Sequence, residues 1–137
     1  MATDRPGPAL WLLLVVGLVG TLFTHLRYLP RYGLDVSLDG LPVVVTGWLS
    51  FTLLFYALGR VLSDPPELPS MRGADIGVGL VVLALLFAGG LSNYGFTPRG
   101  VPGVYVAIGV GFYAGLALVG WSLGQRTRAV NRIVATQ

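Results

Sequence analysis

Four long apolar runs dominate this chain, each closed off by a short polar connection rich in proline and glycine. They cover residues 9–29 ("ALWLLLVVGLVGTLFTHLRYL"), 41–62 ("LPVVVTGWLSFTLLFYALGRVL"), about 76–91 ("IGVGLVVLALLFAGGL") and 101 to about 124. None alternates polar and apolar residues, as the strands of a membrane barrel would, so the pattern predicts helices. At about 1.5 Å per residue, some 20 residues match a hydrocarbon core near 30 Å. The third run is short on that measure and either thins the bilayer or extends to Asn93. The fold class expected is all-α: a polytopic membrane protein built as a bundle of four transmembrane helices.

The punctuation between runs agrees with helices. Pro30 and Gly33 are expected to close the first span, and Asp64, Pro65 and Pro66 the second. Pro42 and Pro102 sit where spans two and four begin, positions at which a missing N–H does no harm. Asp75 stands where an N-cap for the third would fall. The first run has too long an apolar core for a cleaved signal peptide, and no small-residue cleavage pattern follows it, so it reads as a permanent span. The whole chain, 1–137, is expected to be a single domain with a short basic tail at 125–137.

Two stretches hint at duplication. "YGLDVSLDGLPVVV" from Tyr32 and "YGFTPRGVPGVYV" from Tyr94 share Tyr-Gly, a short polar loop and Gly-x-Pro opening a span. Ala57-Leu58 and Ala117-Leu118 match further along. Two duplicated hairpins would stand the same way up, related by an axis along the membrane normal.

Composition confirms the class. The 137 residues are 54% hydrophobic and 11% charged, with mean hydropathy +0.75. Soluble domains carry about a quarter charged residues. No cysteine is present, which removes disulfides and thiolate chemistry. All nine basic residues are arginines. Arg5, Arg60, Arg72, Arg126, Arg128 and Arg132 fall on the side shared by both termini, against Arg27, Arg31 and Arg99 on the other. Six against three places both termini in the cytoplasm by the positive-inside rule.

Small residues recur within the spans. Gly103, Ala107, Gly111 and Gly115 stand four apart in the fourth span, with Gly120 and Gly124 beyond. In lipid, where no hydrophobic force drives helices together, such spacing favours close backbone approach. The fourth helix is therefore expected to be the packing centre of the bundle or a self-association face.

Candidate chemistry is sparse. His25 and Arg27 lie near one membrane face, where the histidine could contact a phosphate or a partner. It has no second histidine for haem and no ligand set for zinc. No Asp, Glu, Lys or Arg lies deep in any span, although ion-coupled transporters keep such groups there. A transporter would have to use Thr46 and Ser50 hydroxyls and carbonyls freed at a Gly89-Gly90 break. Arg126, Arg128 and Arg132 follow the fourth span and could lie on an anionic leaflet or meet a partner. Ser63 and Ser70 have no histidine on their own side, and no phosphate-binding loop is present. These residues suggest a non-catalytic structural or accessory component of a cell membrane or virion envelope, without cofactor or metal. Its partners would be the lipid bilayer and itself or other membrane proteins, not nucleic acid or an identifiable small-molecule substrate. The alternatives are a small oligomeric transporter or channel, and a lipid-binding or sensory module.

Overall fold

A computed structural model describes residues 5–32 and 39–137, and in it each apolar run is a long helix. Helix α1 is α-helical over Pro8–Leu22, passes through a π-helical turn at Phe23–Tyr28 and closes with one turn at Leu29–Tyr32. Helices α2, α3 and α4 span Leu41–Leu62, Arg72–Asn93 and Pro102–Ala135. Each is long and apolar enough to cross a membrane.

Pro42 and Pro102 lie in the first turns of α2 and α4, as the sequence predicts. Helix α2 ends at Leu62, just before Asp64, Pro65 and Pro66, also as expected, whereas boundaries of the other helices move. Pro30 does not end α1, because the chain continues helically to Tyr32. Within the wide turn just before it, Leu29 N–H bonds to Thr24 O, a five-residue reach. That change of register falls where a proline, lacking its N–H and crowding the carbonyl four residues back, disfavours ordinary α geometry. Gly33 lies outside the described residues. Helix α3 begins at Arg72, so Asp75 is in its first turn rather than at the cap, where Met71 stands. A carboxylate there still faces the positive end of the helix. With 22 residues α3 is full length, reaching Asn93. The basic segment after Gly124 is no separate tail: α4 runs 34 residues to Ala135. At about 1.5 Å each that is roughly 51 Å, far beyond a 30 Å core.

The helices stand in the order α1, α2, α4, α3, with α4 packed between α2 and α3. Exchanging the two hairpins leaves this order unchanged, as two like-oriented copies would. The close contacts are repeated only in part: Gly17 and Gly77, sixty residues apart, each meet backbone of the second helix of their hairpin, whereas Gly120 and Gly124 of α4 have Arg60 and Asp64 in the matching places. One end, here called proximal, holds residues 5–7, the 63–71 connection and the end of α4. The distal end holds residues 39–40, ahead of α2, and the connection before α4.

The packing reverses that of a soluble bundle. Buried positions are largely small: Gly17, Gly47, Ala57, Gly59, Ala74, Gly77, Ala84, Gly115, Gly120, Gly124 and Ala129. Large side chains such as Leu12, Leu26, Leu49, Leu86 and Val106 face outward. An apolar exterior over an interior of small residues is the arrangement lipid favours, since leucine gains nothing by leaving it.

Helix α4 packs between two neighbours, but within the chain only one member of the expected stripe takes part. An added Cβ at Gly103 or Gly111 meets nothing within 4 Å, and Ala107 is exposed. Only Gly115 packs inside the chain, where a Cβ would lie 2.6 Å from Gly77 O. The reason is rotational. Four residues turn a helix by about 400°, so a four-residue repeat drifts about 40° per step and about 120° over three. Gly103 and Gly115 therefore belong to different faces. Gly115 and Ser122 face α3, while Gly120 and Gly124, on nearly the opposite side, face Thr52–Gly59 of α2. A helix held between two neighbours needs two smooth faces, and these are they.

Candidate functional site

A polar and aromatic grouping at membrane depth forms where His25 of α1 meets Tyr113 of α4. The π-turn buries Thr24 against α2, at Gly47, where no Cβ would fit beside the threonine methyl. The next residue, His25, is directed inward. Its Nδ1 lies 2.7 Å from Thr21 O, and its Nε2 lies 2.5 Å from the Tyr113 hydroxyl. A carbonyl only accepts, so in the neutral ring Nδ1 carries the proton and Nε2 accepts from Tyr113. Phe51 of α2 completes the contact, its ring centroid 5.0 Å from Tyr113 at 80°. Phe55 continues it at 5.0 Å, and Trp48 meets Phe112 edge-on at 4.7 Å.

This histidine therefore joins helices. Replacing Tyr113 by Phe removes the hydroxyl and keeps the ring contacts. A double-mutant cycle of His25→Phe with Tyr113→Phe is expected to give a coupling near 0.6 kcal/mol and below about 1.7, the range of hydrogen bonds between membrane helices. Thermal midpoints in detergent would measure it, and a coupling of zero would remove the bridge from the account of stability.

Beside the bridge, toward the distal end, α2, α4 and α3 splay apart. The opening is an apolar groove of about 390 Å³. Its walls include Val44 and Trp48, its floor Gly109 and Phe112, and Ala84 and Ala88 line the α3 side. Proximally the same helices are locked by Gly59, Gly77, Gly115, Gly120 and Gly124 against backbone. Distally, Gly89, Gly90, Gly103, Gly109 and Gly111 have nothing within 4 Å of a built Cβ. Tight packing at one end and open packing at the other follow from where the touching glycines lie.

The proposed polar path is not assembled. Thr46 and Ser50 turn toward α1, beside Thr24 and Gly20, and their hydroxyls bond to Pro42 O and Thr46 O. Gly89 and Gly90 are exposed on α3 and remain helical, so no carbonyl is freed there. Both hydroxyls return to the helix because at membrane depth they find no water.

The arginines divide into two groups. Arg27 stands at the distal end, lining a pocket of about 330 Å³ with Phe23 and Arg31, apart from the inward His25. Arg126, Arg128 and Arg132 turn back onto the chain. Arg128 donates to Arg60 O at 2.7 Å and Val61 O at 2.8 Å, Arg126 to Pro69 O at 2.9 Å, and Arg132 to Pro65 O at 3.1 Å. Arg132 also pairs with Asp64. The last carbonyls of α2 have no partner within their own helix, and cations suit that negative end.

Sequence reading missed the His25–Tyr113 pair, although depth carried a signal. Counting back at 1.5 Å per residue puts His25 about 10 Å and Tyr113 about 16 Å from the distal helix ends. Among the described residues no group of three or more His, Asp or Glu is placed to hold a metal. Comparison with known proteins finds no matching family model, no similar curated protein and no similar solved structure.

Proposed function

We propose that this four-helix integral membrane protein is a non-catalytic accessory component, whose distal groove receives an apolar transmembrane helix of a partner protein. The groove is the observation that carries the reading. It is open to the bilayer, nearly free of polar lining, and floored in part by Gly109, with Ala84 and Ala88 alongside. Such residues let a neighbouring backbone approach closely, which is the attraction available between helices in lipid. A second copy is the less natural occupant. A helix of one copy in the groove of the next is a head-to-tail contact, which builds rings or open arrays instead of a closed pair. By the arginine count the proximal end faces the cytoplasm, in a cell membrane or an enveloped particle.

Gly109→Leu tests this directly, because a side chain there projects into open space and leaves the chain's own packing untouched. Native mass spectrometry of the tagged protein, released from its own membrane in mild detergent, is expected to show a hetero-complex for the wild type. The Gly109→Leu variant should keep its thermal midpoint and lose the partner at least tenfold. A monomer or pure homo-oligomer in the wild type, or equal partner retention in the variant, would refute the reading. No observation favours the transport alternative, since Thr46 and Ser50 face α1 while Gly89 and Gly90 stand on α3.

A further inference from the structure

At the proximal end, three arginines from separate parts of the chain surround one small pocket. Arg5 comes from the lead-in to α1, Arg60 from the last turn of α2 and Arg128 from the extension of α4. Asn131 and Leu10 complete the wall, and the volume is about 90 Å³, several times the roughly 15 Å³ that one water needs. Neither aspartate nor glutamate is among the lining residues described.

The pocket holds its arginines in place. Arg128 is fixed by its two bonds to the end of α2, which also places it beside Arg60. Arg60 lies over the Tyr56 ring, 5.8 Å from its centroid, with Nη1 3.5 Å from the hydroxyl. Neither Arg5 nor Arg60 forms an ion pair with a described residue. The beginning of α1 opens on the same space, through Gly7 and Leu10, and adds the positive end of a helix. Arg5 and Arg60, neither of them in an ion pair with a described residue, repel one another in poor dielectric at the border of an apolar bundle, and a bound anion relieves that repulsion. Guanidinium groups are planar forks that match the oxygens of a phosphoryl group.

We propose that Arg5, Arg60 and Arg128, with Asn131, form a binding site for a phosphoryl anion, supplied by an anionic lipid headgroup or by free phosphate. The site is at the opposite end of the bundle from the distal groove and stands whether or not a partner helix occupies that groove. Its position at the end of the spans suits a headgroup, and its size suits one phosphate.

The test reconstitutes the full chain in nanodiscs of phosphatidylcholine alone or with phosphatidylglycerol, and follows the thermal midpoint. A midpoint that rises with phosphatidylglycerol assigns the site to lipid. One that rises with inorganic phosphate in pure phosphatidylcholine assigns it to the free anion. In either case Arg5→Gln and Arg60→Gln are expected to weaken the response at least fivefold, whereas Arg72→Gln, on the same end but outside the pocket, leaves it intact. Arg60→Lys, which keeps the charge, should restore part of the effect and so separates binding from folding. No shift with either additive, or equal shifts in wild type and both glutamine variants, would overturn the assignment.

Discussion

Gly124→Leu is expected to dismantle the bundle, while Gly111→Leu, thirteen residues earlier on the same helix, leaves it standing. A Cβ at Gly124 would press on Tyr56 O and come within 3.1 Å of both Arg60 N and Gly59 Cα. All three are backbone atoms of α2, so no side chain can swing aside. At Gly120 the neighbours are Thr52 O, with Phe55 Cβ and Tyr56 N at 3.0 Å. Overpacking generally costs about 1–3 kcal/mol and more where nothing yields. Alanine at Gly124 is therefore expected to cost about 2 kcal/mol, and leucine enough to separate α2 from α4. At Gly111 nothing lies within 4 Å, and the change should stay within about 0.5 kcal/mol. Thermal unfolding in detergent, followed by tryptophan fluorescence, compares the three variants. Equal midpoints for Gly111→Leu and Gly124→Leu would contradict the assignment of packing faces.

Removing the Arg128 side chain should be the next most damaging change. Its guanidinium holds Arg60 O and Val61 O, two of the last carbonyls of α2. Hydrogen bonds to charged groups contribute about 1.5–3 kcal/mol each, and a cation at a helix C-terminus adds a few tenths more. The two bonds share one cation and are not additive, so Arg128→Met is expected to cost about 3 kcal/mol. Arg132→Gln makes the contrast. Its partner Asp64 is mostly exposed, and exposed pairs are worth about 1 kcal/mol or less. Chemical denaturation in detergent should therefore place Arg128→Met well below Arg132→Gln. The reverse order would mean that the Asp64 pair, not the clamp on the last carbonyls of α2, holds the end of α4 to the bundle.

These two cases show what kind of information the chain carries along its length. Span boundaries were legible wherever a local rule decides them. Pro42 and Pro102 mark helix starts because only the first turn tolerates a missing N–H. The second span matches its helix residue for residue, from Leu41 to Leu62. The first departs where two local rules compete: Pro30 argues for a stop, and the π-turn at Phe23–Tyr28 lets the helix continue. The basic segment after Gly124 read as a tail because arginines end a hydropathy plot. It is helical because α2 and its connection offer carbonyls for those arginines to hold.

By itself, the sequence determined four membrane-length helices, the end at which the arginines concentrate and the importance of small residues in the fourth helix. Each of these depends on composition or on neighbours within one helix. Tertiary structure alone decided that α4 stands between α2 and α3, that Gly115 meets Gly77 while Gly103 and Gly111 look outward, and that His25 finds Tyr113. The physical reason is the apolar exterior. In water a polar face tells a helix which side turns away from the core. In lipid every side can be greasy, so rotation is set by which small residue lets which backbone come near, and that needs both helices at once.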